Sequence, residues 1–355
     1  MVDLPILLVA FVLILAGAEL FTNGIEWVGH KLQLAEGAVG SVLAAVGTAL
    51  PETMIPIVAI LIAEGESSNE IGIGAILGAP FMLSTLAMFV SGIAVLVMAR
   101  RRDLGDAMLV QPVVLFHDVR WFFIGYAIAI GAAFLPPELV WPRWAVGAVL
   151  LALYALYVRE HFRADADAVG EPEDLAPLRL RRLDPRGPAA ATSPRLRVVW
   201  VQVAFALGLI VAGAFVFVGA IERLAGGVGV SGAMLALNIA PIATELPEKF
   251  NSVLWIRQGK DTLAMGNITG AMVFQSMIPT VVALVFAPAA WSVSAAAPIV
   301  FASAGIAFIS TAAIFVPMRF RGVLRGRWLL VGGVFYLAYL ALVFAGVGTA
   351  GVAAA

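Results

Sequence analysis

Cysteine is absent from this chain of 355 residues, which excludes disulfide bridges and metal binding through thiolates. Charged residues are scarce, at 13% against about 25% in soluble domains, whereas hydrophobic residues make up 62%. The first three residues lack the basic region of a cleavable signal peptide, so we interpret the apolar run at 4–20 as a retained membrane span. The composition therefore predicts an integral membrane protein with many spans.

The apolar runs predict about ten membrane-spanning helices, because a spanning helix needs about 20 mostly apolar residues. The predicted spans are 4–23, 38–63, 71–99, 121–137, 141–158, 198–221, 229–256, 262–286, 293–316 and 328–349. We therefore expect an all-α membrane fold. Residues 1–161 and 198–355 should each form a five-helix repeat, and 162–197 should link them.

The two halves share a motif that repeats without gaps at an offset of 196 residues. It reads TALPE at 48–52 and TELPE at 244–248, and each copy lies inside a long apolar run. Further along, the offset falls to 192, where a GxxxGA motif at 74–79 matches a second one at 266–271. Because each half holds an odd number of spans, the halves should be inverted repeats, an architecture of many secondary transporters.

Lysine and arginine are distributed unevenly over the predicted loops. Of the 22 Lys and Arg residues, 19 fall in loops on one side of the membrane, and the exceptions are Arg143, Arg223 and the intramembrane Lys249. Positively charged loops mark the cytoplasmic side. We therefore expect the linker in the cytoplasm, both termini outside, and the protein in a plasma or inner membrane.

The linker at 162–197 is the one stretch of soluble character. It is rich in Arg, Asp, Glu, Pro and Ala and has no aromatic residue after Phe162. Such a segment buries too little apolar area to fold alone, so we predict a flexible linker. In one interpretation its basic residues rest on anionic lipid headgroups, and in the other they only orient the protein in the membrane.

Glu52 and Glu248 are the strongest candidates for a functional site. Each follows a proline inside an apolar span, where a carboxylate is costly and a proline frees backbone carbonyls. Inverted repeats bring two such broken helices together near the middle of the bilayer. Two carboxylates with several carbonyl oxygens suit Ca²⁺ better than Mg²⁺. The alternative is that each glutamate is a buried carboxyl, protonated or bonded to a hydroxyl, with no ligand role.

Three further polar side chains are candidate ligands. Thr48 and Thr244 lie about one helical turn before the glutamates and on the same face. The alternative for each threonine is a hydrogen bond back to the preceding turn. Gln275 is the third candidate, near the second glycine motif. The two glycine motifs should allow close helix packing against the broken helices.

The segments 48–52 and 74–83, and again 244–248 and 261–274, resemble the two α-repeats of the cation/Ca²⁺ exchanger superfamily. That family carries Gly-Thr-Ser-Leu-Pro-Glu and Gly-Asn-Val-x-Gly-Ser-Asn-Ile-Phe in these segments. The resemblance implies that the second, third, seventh and eighth helices form the ion sites. It also implies electrogenic or proton-coupled Ca²⁺ antiport by alternating access. The family's Ca²⁺-ligating residues fall on four positions of this chain: Glu52, Glu248, Thr48 and Thr244.

The chain departs from the family pattern at side chains expected to bind sodium. Where the family has serine, asparagine or aspartate, this sequence has six other residues: Ala49, Glu245, Ala79, Ala271, Leu83 and Gln275. The departures favour H⁺ over Na⁺ as the counter-ion, although backbone carbonyls still allow Na⁺ to bind.

Glu245 and Lys249 are four residues apart with the acid first, which is the favourable order for an ion pair on a helix. A lysine this deep in a span must pair with an acid or extend to the interface. We predict that Lys249 neutralises Glu245 within the candidate metal site. The uncompensated charge would then come from Glu52 and Glu248. The alternative is that Lys249 reaches the interface and has no role.

We expect a secondary antiporter, not an enzyme, that moves Ca²⁺ against Na⁺ or H⁺ and uses no cofactor. One rival is a passive cation channel with the same carboxylates as its filter, and another is an antiporter for a different divalent cation. An intramembrane enzyme is disfavoured, because no Ser/His pair or paired-aspartate motif lies at membrane depth. The expected partners are inorganic cations and the lipid bilayer, with no nucleic acid.

Overall fold

The computed structural model describes residues 3–31, 44–65, 67–165, 176–185, 193–228, 230–293 and 298–343. In the first half the helices are α1 Asp3–Lys31, α2 Ala44–Leu61, α3 Ser68–Met82, α4 Met88–Met98, α5 Pro112–Gly131 and α6 Val140–Asp165. In the second half they are α7 Leu196–Val228, α8 Gly232–Thr244, α9 Leu246–Arg257, α10 Asp261–Phe286, α11 Pro298–Arg321, α12 Gly326–Leu329 and α13 Val331–Leu342.

Short elements connect or extend these helices. A π-helical turn, Leu83–Ala87, joins α3 to α4, so that the two form one continuous span. Two short strands, β1 Ala107–Met108 and β2 Leu324–Arg325, pair antiparallel with Ala107 opposite Arg325. The described residues are therefore almost entirely helical, and the two short strands form a small antiparallel pair between the halves.

Seven helical stretches in the described residues are long and apolar enough to cross a membrane. Three shorter apolar helices accompany them, at Glu52–Leu61, Gly232–Pro241 and Gly326–Leu342. The prediction of an all-α integral membrane protein is confirmed, and the count of ten spans stays a prediction. The fourth span begins earlier than predicted, at Pro112 rather than 121, because Pro112 occupies the first turn of α5, where its missing N–H has no helical partner.

Helices α1 and α7 contact one another reciprocally. A Cβ on Gly17 of α1 would lie 2.7 Å from Ile210 of α7, and a Cβ on Gly213 of α7 would lie 2.7 Å from Ile14 of α1. These four positions map onto one another under the offset of 196. Equivalent residues therefore exchange places across the contact, as they do across a local two-fold axis.

The same two helices run antiparallel. Phe11 lies early on α1 and its ring centroid is 5.7 Å from that of Phe217, late on α7. Gly24 lies late on α1 and packs on Val203, early on α7. The absence of a side chain at the glycines brings the two backbones close together.

Part of the predicted linker is docked on this helix pair. Leu178 is buried with Phe21 and Trp27 of α1. Asn23 Nδ2 and Trp27 Nε1 donate hydrogen bonds of 3.2 and 2.9 Å to the carbonyl of Ala176. The prediction of a wholly flexible linker is therefore wrong for residues 176–185, because side chains of α1 form hydrogen bonds with the backbone of this segment.

Candidate functional site

Helix α2 places Glu52 in the protein interior. The helix packs against α3, α7 and α10, and Glu52 is only 6% exposed. Ile55 and Val58, on the following turns, are fully buried. A carboxyl group enclosed by apolar helices is costly as an anion unless a cation or a proton balances it. Glu52 therefore has the surroundings of a cation ligand.

Two of the predicted site residues lie partly outside the described structure. The backbone of Thr48 belongs to α2 and that of Glu248 to α9, but their side chains are not among the described atoms. The separation of the Glu52 and Glu248 carboxyl groups is thus outside the described part of the chain. The ligand roles of Thr48 and Glu248 stay predictions.

The two motif copies differ in their backbones. Helix α2 continues without interruption through Pro51, although we expected a broken helix in both halves. In the second copy, α8 ends at Thr244 and α9 begins at Leu246, with φ −85° and ψ 5° at Glu245 between them. The expected break is therefore present in the second copy alone, at the position where the sequence carries the extra glutamate.

The predicted ion pair of Glu245 and Lys249 is present. Lys249 Nζ lies 2.8 Å from Glu245 Oε2 and 3.4 Å from the carbonyl oxygen of Pro241. Both residues are buried, with 1% of Glu245 and 7% of Lys249 exposed. Glu245 Oε1 accepts no hydrogen bond from any residue that the structure describes. The pair therefore places a fixed positive charge inside the helix bundle, beside one oxygen that has bonding capacity left.

Thr244 and Gln275 are both buried, at 1% and 2% exposed. Thr244 Oγ1 donates a 3.0 Å hydrogen bond to the carbonyl of Ala240, which is the back-bond of the alternative interpretation. That bond uses the hydroxyl proton and leaves the oxygen lone pairs of Thr244 able to face a cation. Gln275 lies on α10, the helix that packs against α2.

The first glycine motif packs as predicted against the second copy of the site motif. A Cβ at Gly74 would overlap the carbonyl oxygen of Ala233, and a Cβ at Gly78 would overlap that of Leu237. Both carbonyls belong to α8, so the two helix backbones touch. The repeat places the equivalent partners of Gly266 and Gly270 at positions 37 and 41, which lie outside the described residues.

Two serines after the glycine motifs form equivalent hydrogen bonds in the two halves. Ser84 Oγ donates to the carbonyl of Phe81 at 3.0 Å, and Ser276 Oγ donates to that of Val273 at 2.9 Å. Both bonds span three residues, and the offset of 192 relates them. The carbonyl of Ser84 also accepts a 2.7 Å bond from Ser310 Oγ, so this serine is tied to α11 as well.

The sequence does not predict the burial of two acids, Asp261 and Asp118. Asp261 begins α10 and is 1% exposed, and Arg102 pairs with both of its carboxylate oxygens. Asp118 lies on α5 and is also 1% exposed. Each acid falls just outside a predicted span, where an acidic residue is expected to face water. No local pattern in the sequence indicates that either side chain is buried.

The helices that carry the two motif copies bury side chains with oxygen atoms. Four helices form this part of the protein and together carry both copies of the repeated motifs: α2, α3, α8 and α10. Helix α3 packs against the other three. The buried polar groups of the four helices are carboxylates, hydroxyls and an amide, and the ammonium group of Lys249 lies on the adjoining helix α9. Oxygen donors of this kind are the ligands that hard cations prefer.

Comparisons with known proteins found one similar sequence and two similar folds. The chain is 25% identical over 304 residues to the "Putative antiporter CaxA" of Alkalimonas amylolytica, which covers 81% of this chain and 82% of that protein. Its fold matches the crystal structure of the H⁺/Ca²⁺ exchanger CAX with a TM-score of 0.67 and 15% identity, over 96% of this chain and 82% of that one. It also matches the sodium-calcium exchanger NCX_Mj with a TM-score of 0.56 and 17% identity, over 96% and 98% of the two chains.

A family model described as sodium/calcium exchanger protein matches residues 3–159 and 198–347, which together are most of the chain. The family and the structural neighbours are exchangers and not enzymes. The chain therefore belongs to the sodium/calcium exchanger protein family.

Proposed function

We propose that this protein is a secondary antiporter that moves Ca²⁺ across the membrane in exchange for H⁺ or Na⁺. The observation that carries the proposal is the buried carboxyl group of Glu52, within one of two copies of a TxLPE motif. Membership of the exchanger family supports it, as do the names of the similar proteins, an H⁺/Ca²⁺ exchanger and a sodium-calcium exchanger.

The two halves are inverted repeats of five helices each, ten spans in all. The reciprocal antiparallel contact of α1 and α7 supports this, since equivalent glycines and isoleucines exchange places across it. The linker then lies in the cytoplasm and both termini lie outside. In such a fold, ions bind near the middle of the membrane at the interface of the repeats.

Glu52 and Glu248 supply the negative charge of the Ca²⁺ site, one from each half. Neutral oxygens complete the coordination shell, from three side chains: Thr48, Thr244 and Gln275. Glu245 is the remaining member of the site, and Lys249 compensates its charge at 2.8 Å. A divalent cation therefore meets a net charge of about −2, which it can neutralise.

Charge balance makes the transport an exchange. Two ionised glutamates in an apolar interior repel one another and are poorly solvated. Binding of Ca²⁺, or of the ions that replace it, removes that cost and permits the change that opens the site to the other side. The empty site does not make the change, so no net leak results.

The counter-ion is more readily H⁺ than Na⁺. Alanine at 49, 79 and 271 provides no side-chain oxygen for Na⁺, whereas both site glutamates can take up a proton. The buried Lys249 adds a fixed positive charge near the site, which disfavours a further monovalent cation there.

The test is Ca²⁺ uptake into inside-out vesicles that contain the protein, driven first by a pH gradient and then by a Na⁺ gradient. We expect saturable uptake that requires a counter-gradient, with the pH gradient the more effective. Uptake that proceeds at high rates down the Ca²⁺ gradient alone would identify a passive channel. Uptake of Mg²⁺ or Mn²⁺ in preference to Ca²⁺ would identify a different substrate.

A further inference from the structure

Asp118 is a buried carboxylate that the proposed Ca²⁺ site does not use. It lies on α5 and is 1% exposed. Its Oδ1 accepts a 3.0 Å hydrogen bond from the hydroxyl of Tyr157 on α6, and its Oδ2 accepts one of 2.6 Å from Thr269 on α10. No lysine or arginine of the described residues forms an ion pair with it. A carboxylate so placed has two neutral donors and needs a cation or a proton to balance its charge.

A histidine connects Asp118 to the protein surface. His117 Nδ1 lies 3.8 Å from Asp118 Oδ1, about 1 Å beyond a hydrogen bond. Its other nitrogen, Nε2, lies 2.9 Å from Glu160 Oε2, and 47% of the Glu160 side chain is exposed. The imidazole also stacks on Tyr157 with ring centroids 5.5 Å apart, which fixes its orientation. Titratable groups therefore run from solvent to the buried carboxylate.

The other charged groups around this chain of contacts already have partners. On α5, Arg120 lies 3.4 Å from Glu160. On α11, Arg319 lies over the ring of Phe116, 6.0 Å from its centroid. At the start of α10, Asp261 is paired with Arg102. Among the described residues, His117 is the one within ion-pair distance of Asp118, and it is charged when protonated.

The hydrogen-bond partners of Asp118 fit both its ionised and its protonated state. Thr269 Oγ1 lies 2.6 Å from Asp118 Oδ2 and 3.1 Å from the carbonyl oxygen of Met265. When Asp118 is ionised, the threonine hydroxyl donates to the carboxylate. When Asp118 is protonated at Oδ2, the carboxyl donates to Thr269, whose own proton turns to Met265. Both protonation states thus keep a complete set of hydrogen bonds.

We propose that Asp118 is a proton-binding site, reached from the surface through Glu160 and His117, at which the proton exchanged for Ca²⁺ enters or leaves the protein. The inference rests on the proposed exchange and assigns its counter-ion. His117 takes a proton from water while Glu160 holds the charged ring, and the Nδ1 proton passes to Asp118 Oδ1 when the two atoms close to hydrogen-bonding distance. Rotation of the carboxyl group then places the proton next to Thr269. The reverse steps release it.

The contact with Thr269 connects this proton to the ion site. Thr269 lies between the two glycines of the second motif, on the same helix as Gln275. Protonation of Asp118 removes the charge that the hydroxyl of Thr269 solvates. The strength of the bond between α5 and α10 therefore depends on whether the proton is bound.

The test compares two transport modes of the full-length protein in liposomes. One mode is Ca²⁺ uptake driven by a pH gradient, measured between about pH 5.5 and 8.5, a range that brackets histidine titration. The other is exchange of external Ca²⁺ for internal Ca²⁺ without a pH gradient, which needs no proton transfer. We expect Asp118→Asn to reduce proton-driven uptake at least about tenfold and to flatten its pH profile, while Ca²⁺/Ca²⁺ exchange stays within about twofold of wild type.

Two further variants keep the inference falsifiable if Asp118→Asn folds poorly. His117→Gln changes a partly exposed residue and should shift the pH profile and slow proton-driven uptake while sparing Ca²⁺/Ca²⁺ exchange. Asp106→Asn makes the same chemical change at a partly exposed ion pair with Arg325 and should behave as wild type in both modes.

The failures are distinguishable. Wild-type protein that exchanges Ca²⁺ with neither gradient would refute the proposed function itself. Wild-type exchange driven by Na⁺ alone would leave that function standing and overturn the proton site. Equal loss of both modes in Asp118→Asn, together with wild-type behaviour of His117→Gln, would show a structural role only and would also overturn it.

Discussion

The two copies of the site motif occupy equivalent places in the sequence but have become chemically different. In the first copy, helix α2 is continuous, and the positions that correspond to Glu245 and Lys249 are Ala49 and Thr53. In the second copy, the helix is interrupted at Glu245, and a buried ion pair joins it to Lys249 across 2.8 Å. The second half therefore carries one additional acid and one additional base.

The two copies therefore differ in where their charged side chains lie, although the sequence motif is repeated. The added acid and base cancel, so the formal charge of the two motif regions stays equal. The ion pair instead places an ammonium group near a carboxylate site, as a bound monovalent cation would. In the first copy the equivalent positions, Ala49 and Thr53, are uncharged.

The largest effect should come from removing the feature that the copies share. We expect Glu52→Gln and Glu248→Gln each to reduce Ca²⁺ uptake by about 100-fold or more, because each removes half of the charge that binds the ion. The two losses should agree within about threefold. The measurement is ⁴⁵Ca²⁺ uptake into proteoliposomes. A Glu248→Gln protein that transports normally would show that the second acid is not a ligand.

The next largest effect should come from the feature that the copies do not share. We expect Lys249→Met to destabilise the protein by about 3–5 kcal/mol, because it leaves Glu245 buried without its partner. Combining it with Glu245→Gln should recover most of that loss. The measurement is unfolding of the purified protein in detergent, with uptake and its pH dependence recorded in parallel.

The control for this prediction is Thr53→Val, at the position equivalent to Lys249 in the first copy. It should cost about 1 kcal/mol, the usual value of one hydrogen bond. If Lys249→Met left stability, transport and pH dependence all unchanged, the ion pair would have no role in folding or in transport.

The sequence predicts the helical fold and the ion pair well, because both depend on local patterns. Apolar runs of membrane length identify the helices, and a four-residue spacing of acid and base identifies the Glu245–Lys249 contact. The sequence does not predict that α2 is continuous. Both copies have a proline before the glutamate, but the second has another at Pro241, where the first has Ala45. Proline number does not explain the difference, because α2 carries a second proline as well, Pro56, and stays continuous.

Other features depend on tertiary contacts that no local pattern reveals. Asp118 was assigned to a loop, since the predicted span began at 121, and its burial follows from contacts with Tyr157 and Thr269 on other helices. The docking of residues 176–185 likewise depends on Asn23 and Trp27. Both stretches carry charged residues, and only packing shows that their polar groups are satisfied inside the protein.

A smaller effect should separate the two glycine motifs. A Cβ at Gly78 would overlap a backbone carbonyl of α8, whereas among the described atoms a Cβ at Gly270 would meet only the hydroxyl of Tyr157, at 3.5 Å. We expect Gly78→Ala to destabilise the protein by about 1–3 kcal/mol through overpacking, and Gly270→Ala to be tolerated within about 0.5 kcal/mol. Unfolding in detergent measures both. Equal losses would show that residues near position 41 pack on Gly270 as α8 packs on Gly78.

The smallest effect concerns the two serines that the repeat relates. Ser84→Ala and Ser276→Ala each remove a hydrogen bond to a carbonyl three residues earlier, so each should cost about 0.5–1.5 kcal/mol. The bond from Ser310 to the Ser84 carbonyl is made by the backbone of Ser84 and survives the substitution. We therefore expect equal shifts in unfolding for the two variants, measured side by side, with Ca²⁺ uptake unchanged. A clearly larger loss of uptake in Ser276→Ala would mean that its hydroxyl takes part in the ion site, and would extend the asymmetry of the two copies beyond the Glu245–Lys249 pair.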